Sequence, residues 1–277
     1  MKPIVRALAE AVRQLDDSSD TARLDSELLM AEALNIDRDK LILSPPNRQV
    51  PDRFWQMVER RKAGEPIAYI TGRRAFWNIE LHVGPGVLVP RPDSEVLIAS
   101  AIEHFEGTMG PKRILDLGTG PGTLLLAALD IWPEATGLGI DVSRHAMSYA
   151  AANARRLGFE PRVKFKLGNW TQGVSETFDL ILCNPPYVAA GDPHLAAGDV
   201  RHEPSHALAS GPDGLDALRV IVAGAADHLV PGGWLAVEHG YDQTVPVRGL
   251  LQQARFGDLE SLRDLSGIPR VAAGRAA

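Results

Sequence analysis

Asn184-Pro185-Pro186-Tyr187 follows the apolar run FDLILC and is the segment of the chain best suited to chemistry. Two successive prolines remove two backbone donors and fix φ, so the segment is stiff and its carbonyl groups point away from any continuing ladder. The Asn184 side-chain oxygen and the Pro185 carbonyl are then two free acceptors, which can hold both N–H groups of a planar amino group. Tyr187 can stack on the flat group that carries this nitrogen. The alternative is a Pro-Pro turn that merely ends a strand.

A glycine-rich loop, DLGTGPG, ends an earlier apolar run. Glycines at alternate positions let the backbone turn tightly and approach a ligand, because no Cβ obstructs the approach. A turn without a ligand has the same composition, so the loop alone is weak evidence. A dinucleotide site is the rival ligand site, but the third glycine of its G-x-G-x-x-G pattern would fall on Thr123. The candidate cofactor-binding residues of the loop are Asp116, Gly118, Thr119, Gly120, Pro121 and Gly122.

Further candidate residues follow the next two strand-like runs. ATGLGID ends in Asp141, and a carboxylate in this place can accept both ribose hydroxyls of an adenosine, in NAD as in S-adenosylmethionine (SAM). Val142 is its neighbour and a second candidate. Asn169 and Trp170 follow the third strand, where a polar and an aromatic side chain can flank an adenine ring. Ordinary core packing is an equally good interpretation of Trp170.

Taken together, the motifs favour transfer of a methyl group from a sulfonium to a planar nitrogen. The lone pair of such a nitrogen is delocalised, so alignment is the main catalytic device, with the reacting atoms about 3 to 3.5 Å apart. The sulfonium is already a strong electrophile, and the proton can leave after transfer. A dedicated general base is therefore not required, and no His or Cys is well placed to act as one.

The elements that position these residues alternate along the chain. Strand-like runs and helical stretches follow one another from RILDLG to GWLAVEHG, which predicts parallel βαβ units with right-handed crossovers and helices on both faces. In such a sheet the ligand binds beyond the carboxyl ends of the strands. The tail after Val245 predicts a helix and a closing β-hairpin. We therefore expect an α/β fold with its chemistry in the loops at one edge.

The preceding region predicts a small helical domain and a linker. Apolar residues recur at helical spacing, first at Ile4, Leu8, Val12 and Leu15, then at Leu24, Leu28, Leu29 and Ala33. AFWNIELHVGPGVLVP mixes aromatic and β-branched residues before a Gly-Pro-Gly turn, which predicts a hairpin. We expect a helical substrate-recognition domain over residues 1–72, a β-hairpin linker over 73–92 and the α/β domain over 93–277.

Composition narrows the function classes. The formal net charge of −6 and pI of about 5.8 disfavour binding to nucleic acid. The single cysteine, Cys183, rules out an intrachain disulfide and favours a reducing compartment. The N-terminus has no apolar h-region and no later stretch stays apolar for the width of a bilayer, so we expect a cytoplasmic protein without a membrane partner. His202 and His206 have the spacing of a helical metal pair, but Pro204 between them argues against a helix, and no metal site is predicted.

Several longer segments resemble one enzyme family. DLGTGPG, Asp141 and NPPY are similar to class I SAM-dependent methyltransferases that act on amino groups. PIAYITG, PGVLVPRPDSE, EPSHALASGPDGL and PGGWLAVEHGYDQ resemble the HemK family, the peptide chain release factor glutamine N5-methyltransferases. NPPY alone is shared with DNA adenine and some RNA methyltransferases, whereas its combination with PGVLVPRPDSE is far more specific. The resemblance covers nearly the whole chain.

The resemblance implies a class I SAM-dependent methyltransferase (Rossmann-like) domain behind a small helical N-terminal domain. It implies that Asn184 to Tyr187 hold the glutamine of the Gly-Gly-Gln motif in class I release factors, which would be the protein partners. Arg91 and Glu95 would organise the mouth of the substrate site, with a surface salt bridge as the alternative. The residues implied to bind SAM are Gly118 to Gly122, Asp141, Trp170 and Asn184.

Three segments depart from the family pattern: Pro121, Asp93-Ser94, and His239, which replaces a common apolar residue in the strand after Trp234. Pro121 withdraws one backbone N–H that could otherwise meet the ligand, and Asp93-Ser94 replaces a more usual Glu-Thr. The stretch from Val188 to Asp213 has few strand signals, so we expect either a lid over the substrate loop or a solvated loop. Three alternative functions stay open: ribosomal-protein glutamine methylation, methylation of a flipped-out adenine at N6, and SAM binding without catalysis.

Overall fold

The computed structural model describes residues 3–277, which form two compact units. The first unit consists of Met1–Arg73 with Ala197–His202, and the second of Arg74–Ala196 with Glu203–Ala277. The stretch expected as one domain over 93–277 is thus interrupted, because six of its residues group with the helical unit. Most of the expected linker groups with the second unit.

The first unit is helical, as its apolar spacing predicts. Its core includes Ile4 and Leu15, both fully buried. Leu24, expected in the buried stripe, is 40% exposed, because the second helix packs through the face that carries Leu29 and Met30. The helices are α1 (Pro3–Leu15), α2 (Ala22–Leu34), α3 (Arg38–Leu43), α4 (Asp52–Lys62) and α5 (Ile67–Thr71).

A buried ion pair explains why Ala197–His202 groups with these helices. Arg61 Nε donates to Asp25 Oδ2 at 2.7 Å, and Arg61 Nη1 donates to Asp199 Oδ1 at 2.5 Å. Arg61 and Asp25 are both buried, whereas Asp199 is half-buried. One buried guanidinium therefore pairs with two carboxylates, and the second carboxylate comes from the distant segment.

The second unit begins with a hairpin and continues as alternating strands and helices. Its helices are α6 (Glu95–His104), α7 (Thr123–Ile131), α8 (Arg144–Leu157), α9 (Asp216–Ala225) and α10 (Thr244–Gln253). Its strands are β1 (Arg73–Phe76), β2 (Ile79–His82), β3 (Arg113–Leu117), β4 (Thr136–Asp141), β5 (Val163–Leu167), β6 (Phe178–Cys183), β7 (Leu229–Glu238), β8 (Gly257–Arg263) and β9 (Pro269–Arg275).

Seven strands form the central sheet in the order β5-β4-β3-β6-β7-β9-β8. β5, β4, β3, β6 and β7 are parallel, while β9 pairs antiparallel with both β7 and β8. The predicted α/β fold is confirmed, and the closing hairpin is β8–β9. Across residues 3–277, every helix is too short or too polar to span a membrane.

The register of the parallel strands brings the candidate residues together. Leu117 lies opposite Ile140 on one side and Cys183 on the other, and Cys183 lies opposite Val237. The residues that follow these partners therefore share one edge of the sheet. They are Gly118 after β3, Asp141 at the end of β4, Asn184 after β6 and Glu238 at the end of β7.

The stretch from Val188 to Asp213 is ordered by backbone hydrogen bonds. Val188 N donates to the Leu208 carbonyl at 2.9 Å, and Ser210 N donates to the Val188 carbonyl at 2.8 Å. Short 3-10 turns occupy Pro193–Ala196, Gly198–His202 and Ser205–Ala207. The stretch thus folds back on its own start beside the Asn184 loop.

Candidate functional site

Three adjoining cavities lie at the carboxyl edge of the sheet. The first holds about 630 Å³ of empty space, part of it open to solvent, between the glycine loop, Asp141 and Trp170. The second, of about 380 Å³, lies beside Asp116. The third, of about 300 Å³, lies between Arg91 and Tyr187. Leu88 and Asn184 line all three, so they stand where the cavities meet.

The glycine loop has a backbone that side chains disfavour. Gly118, Gly120 and Gly122 have φ of 73°, 55° and 89°, in the left-handed region. Gly118 N donates to the Ile140 carbonyl at 2.8 Å, which ties the loop to β4. A Cβ on Gly122 would lie 2.7 Å from Leu126 Cδ1, so this glycine lets helix α7 begin close by. Gly118 and Gly120 line the first cavity, and the second is lined also by Thr119 and Pro121.

Asp141 is oriented by its neighbours. Its Oδ2 accepts from Gly120 N at 2.9 Å, and its Oδ1 accepts from Ser143 N at 2.8 Å. An ionised carboxylate has about four lone-pair sites, so acceptor capacity for a ribose diol is left. Asp141 and the exposed Val142, both predicted to bind the cofactor, line the first cavity.

Asp116 is a buried carboxyl beside the second cavity. Its Oδ2 accepts from Thr119 Oγ1 at 2.7 Å and from Leu125 N at 3.3 Å. Its Oδ1 has no hydrogen-bond partner among residues 3–277. Burial first, and then the charge of Asp141, raise the pKa of Asp116 to about 7, against the hydrogen bonds that lower it. The orphan oxygen can accept from a polar or cationic ligand group.

Trp170 lies where it can both contact a cofactor and pack in the core, the two interpretations of its sequence position. It lines the first cavity and also packs against the core under the sheet. Its φ of 51° is unusual for a bulky side chain, and such strain occurs mainly at functional sites. Asn169 is exposed and lies outside the lining of the three cavities.

Asn184 presents an oriented amide. Its Nδ2 donates to Ser94 Oγ at 2.8 Å, so its Oδ1 is the atom left to accept from a ligand. Among residues 3–277, no donor bonds to the Pro185 carbonyl. Pro185 and Tyr187 line the third cavity and Pro186 lines the first. The segment thus carries two acceptors without protein donors, and its residues line the first and third cavities.

Hydrogen bonds hold Tyr187 at its side-chain hydroxyl and at its backbone carbonyl. Its Oη donates to Glu238 Oε1 at 3.0 Å, and its carbonyl accepts from Gln243 Nε2 at 2.9 Å. Burial and the neighbouring Glu238 raise the pKa of the Tyr187 hydroxyl well above its usual range. The hydroxyl therefore stays neutral, and the Tyr187 side chain both lines the third cavity and packs against the core.

Arg91 and Glu95 are placed differently from each other. Arg91 lines the second and third cavities and forms an ion pair with Glu203, whose carboxylate is fully buried. Glu203 Oε2 also accepts from Val89 N at 2.9 Å. Glu95 Oε1 accepts from Trp77 N at 3.0 Å, in the hairpin, and lines none of the three cavities. Arg91 thus belongs to the site, whereas Glu95 supports the hairpin that precedes it.

Sequence reasoning missed four residues of the site: Leu88, Ser94, Glu203 and Glu238. A carboxylate at the end of an apolar strand, as in LAVE, is a signal that could have found Glu238. Leu88, Ser94 and Glu203 have no such signal, because their position depends on how distant segments pack.

The residues fit a molecule that joins an adenosine to a charged amino acid. The first cavity is lined mainly by apolar residues with a few polar groups among them, as cofactor sites commonly are. It offers a glycine loop, an oriented carboxylate and an aromatic side chain, and the second cavity adds the orphan Asp116 Oδ1. These residues would hold the ribose and the amino acid ends of SAM.

Family models match both units. A model described as the PrmC N-terminal domain matches residues 6–72, and a model described as a methyltransferase domain matches residues 110–239. The first match covers most of the helical unit, and the second covers strands β3 to β7 of the central sheet.

Curated relatives match over nearly the whole chain. A release factor glutamine methyltransferase of Xylella fastidiosa is 43% identical over 91% of this chain and 93% of its own length. Proteins of the same name from Pseudomonas aeruginosa and Burkholderia pseudomallei are 42% and 40% identical, covering 95% and 99% of this chain and 95% and 98% of theirs.

Solved structures share the fold. A ribosomal protein L11 methylase from Lactobacillus delbrueckii subsp. bulgaricus has a TM-score of 0.52 at 21% identity, over 71% of this chain and 86% of that one. The hMettl16 catalytic domain in complex with an RNA hairpin has a TM-score of 0.57 at 16% identity, over 79% and 81%. At such identities the likeness concerns the fold alone.

Proposed function

Because the chain belongs to the release factor glutamine methyltransferase family, we propose that it transfers a methyl group from SAM to the side-chain amide nitrogen, N5, of the glutamine in the Gly-Gly-Gln motif of class I release factors. One observation carries the proposal. Asn184 lines the two cofactor-side cavities and the substrate-side cavity, and its amide oxygen is free to accept.

On this proposal the first two cavities bind the cofactor. Asp141 accepts hydrogen bonds from the ribose hydroxyls, and Trp170 contacts the adenine. The glycine loop and Asp116 bind the amino acid end of SAM. SAM supplies a methyl group made electrophilic by its sulfonium. The segment Pro204 to Ala207 also lines the first cavity, so it limits the access of water to the bound cofactor.

The third cavity holds the glutamine side chain. Asn184 Oδ1 and the Pro185 carbonyl accept its two amide N–H groups, while Tyr187 contacts the flat amide. These bonds turn the nitrogen toward the methyl group. A nitrogen–carbon bond forms as the carbon–sulfur bond breaks, one amide proton leaves to solvent, and S-adenosylhomocysteine and N5-methylglutamine result. Alignment by the Asn184 loop supplies the rate acceleration.

The test is methyl transfer from radiolabelled SAM to a class I release factor. We expect label on the wild-type factor and none on a factor whose Gly-Gly-Gln glutamine is changed to Ala. Asn184→Ala should lower the rate by at least about 100-fold, as loss of a positioning hydrogen bond does. Asn78→Ala, at an exposed position in the hairpin turn, is the matched control and should keep its activity.

Other substrates distinguish the alternatives. Ribosomal proteins and DNA are offered in parallel with the release factor. Label on a ribosomal-protein glutamine, or on adenine in DNA, with none on the release factor would replace the proposal by one of these activities. SAM binding without transfer to any substrate would contradict an enzymatic role.

A further inference from the structure

Gln243 carries a buried amide that lies outside the three site cavities. It is 7% exposed and is the N-cap residue of α10, in the loop that follows β7. Such positions favour Ser, Thr, Asp or Asn, whose short side chains accept from the first turn of the helix. Among residues 3–277, the Gln243 side chain bonds to no backbone N–H of its own helix. Helix capping and contact with a ligand therefore both fail to explain why an amide is buried here.

Three backbone groups from separate loops satisfy this amide. Gln243 Nε2 donates to the Tyr187 carbonyl at 2.9 Å and to the Asp213 carbonyl at 3.2 Å. Its Oε1 accepts from Gly240 N at 2.8 Å. A backbone N–H can only donate and a carbonyl can only accept, so the three partners fix which way the amide is turned. One side chain thus joins the end of the NPPY segment, the end of the stretch from Val188 to Asp213 and the loop after β7.

Gly214 shows how closely these loops converge. Its φ of 77° lies in the left-handed region, where side chains are disfavoured. A Cβ on Gly214 would overlap the Tyr187 carbonyl oxygen and lie 2.7 Å from Gln243 Nε2. An alanine here would displace that carbonyl from its bond to Gln243. The chain therefore has a glycine at the point where the Tyr187 carbonyl meets the Gln243 amide.

Tyr187 depends on this carbonyl bond because the residues before it offer few backbone donors. Pro185 and Pro186 have no N–H, so half of the NPPY segment cannot be held through a backbone donor. The Tyr187 hydroxyl donates to Glu238 Oε1 at 3.0 Å, which fixes the tip of the side chain. The Gln243 amide holds the main chain of the same residue. Both partners lie at or after the end of β7, so two bonds fix Tyr187 against this edge of the sheet.

The second N–H of the amide holds the far end of the stretch from Val188 to Asp213. The stretch begins directly after Tyr187 and ends at Asp213, so a single amide pins both of its ends. Its middle is held differently, because Glu203 forms an ion pair with Arg91. Loss of the amide would therefore loosen the base of the stretch beside the third cavity and leave in place the part that lines the first cavity.

We propose that Gln243 is a positioning residue for methyl transfer, whose amide holds Tyr187 where its ring contacts the planar group that carries the accepting nitrogen. The inference rests on the proposed function for the identity of that group. Tyr187 lines the third cavity and Gln243 does not, so Gln243 acts through Tyr187 rather than by touching the substrate. Neither residue lines the first or the second cavity. The expected signature is therefore a slower transfer with an unchanged affinity for SAM.

The test is Gln243→Met, which keeps the length of the side chain and removes its two N–H donors and its carbonyl oxygen. We expect kcat for release factor methylation with radiolabelled SAM to fall by about 10- to 100-fold, because a small misplacement of a contact residue costs that much. The Kd for SAM, measured by calorimetry without the release factor, should change by less than about 3-fold. Gln252→Met, at an exposed position of α10, is the matched control and should keep wild-type values. An unchanged kcat in Gln243→Met would overturn the proposal.

A double variant tests whether Gln243 acts through Tyr187. Tyr187→Ala removes the ring, so the addition of Gln243→Met to it should lower kcat by less than about 3-fold more. A further loss as large as the loss that Gln243→Met causes in the wild type would show that the amide acts through another residue, and would contradict the proposal.

Gly214→Ala tests the same contact without changing the amide. The added Cβ displaces the Tyr187 carbonyl, so this variant should also lose kcat by at least about 10-fold and keep its SAM Kd within about 3-fold. Gly267→Ala, at a φ of 79° with open space around it, is the control for the cost of the backbone conformation alone. Equal kcat in the two glycine variants would count against the proposal.

Fold and substrate identity are checked separately from the positioning role. Circular dichroism and the SAM Kd identify a variant that has lost its fold, and the other variant then carries the test. If both Gln243→Met and Gly214→Ala lose their fold, the amide has a structural role and the positioning role is wrong. If the wild type methylates another nitrogen in place of the release factor glutamine, the proposed function fails alone, and the variants are compared on that nitrogen. If Gln243→Met methylates the release factor as fast as the wild type does, only the positioning role fails.

Discussion

At the scale of single residues, Asp116 makes the free energy of unfolding depend on pH. Burial holds its pKa near 7 in the folded chain, well above the value of an exposed aspartate, so the folded state binds a proton more tightly than the unfolded state. This contribution to stability is complete at a pH below the unfolded pKa. It is lost as the pH rises through about 7, because folding then requires a buried charge.

Asp116→Asn should remove this dependence. We expect the unfolding free energy of wild type, relative to Asp116→Asn, to fall by up to about 4 kcal/mol between about pH 4 and pH 7. Urea denaturation followed by circular dichroism across that range measures the difference. Asp130→Asn, at an exposed helix position, is the control. Parallel pH curves for wild type and Asp116→Asn would contradict the expectation.

A second residue-scale prediction concerns Gly122. An alanine there meets both a left-handed φ of 89° and the Leu126 side chain at 2.7 Å, whereas Gly158, with φ of 78°, has open space around it. Gly158→Ala should cost about 1 kcal/mol from the backbone alone. Gly122→Ala should cost about 1 to 3 kcal/mol more, from overpacking. Equal losses of unfolding free energy for the two variants would show that Leu126 moves aside freely.

At the scale of elements, sequence reasoning predicted the strands well and the packing of loops poorly. The alternation of apolar runs predicted the parallel sheet, and the strand ends located Asp141 and Asn184. Leu24 was misplaced because periodicity does not say which of two apolar faces a helix buries. Glu203 and Ser94 could not be found, since their partners Val89, Arg91 and Asn184 are distant in sequence and only the packed loops bring them together.

Glu203 anchors the segment that covers the first cavity. Glu203→Gln keeps the shape but removes the charge that pairs with Arg91, and a hydrogen bond to a charged group contributes about 1.5 to 3 kcal/mol. We expect faster hydrogen exchange over residues 203–211 and a roughly 10-fold weaker SAM affinity, measured by mass spectrometry and calorimetry. Glu160→Gln, in an exposed ion pair with Arg155, is the control. An unchanged rate of hydrogen exchange in this segment would mean that its backbone hydrogen bonds alone hold it in place.

At the scale of the whole molecule, the two units have separate cores. The residues that line the three site cavities all belong to the second unit. Arg61→Ala would leave Asp25 buried without its partner, which typically costs about 3 to 5 kcal/mol. We expect thermal unfolding of the helical unit at a markedly lower temperature, and an unchanged SAM affinity.

Arg60→Ala is the matched control for that change, because Arg60 pairs with Glu65 at the surface. It should shift unfolding by less than about 1 kcal/mol. If Arg61→Ala lost as much free energy of SAM binding as free energy of unfolding, the two cores would not be independent.

The grouping of Ala197–His202 with the helices makes both units discontinuous in sequence. The backbone changes unit three times, at residues 73, 196 and 202. A fragment that starts at residue 74 would therefore contain Ala197–His202 without the helices with which they group. A fragment that stops at residue 73 would lack Asp199. A swap of the complete helical unit between relatives therefore has to include both stretches, Met1–Arg73 and Ala197–His202.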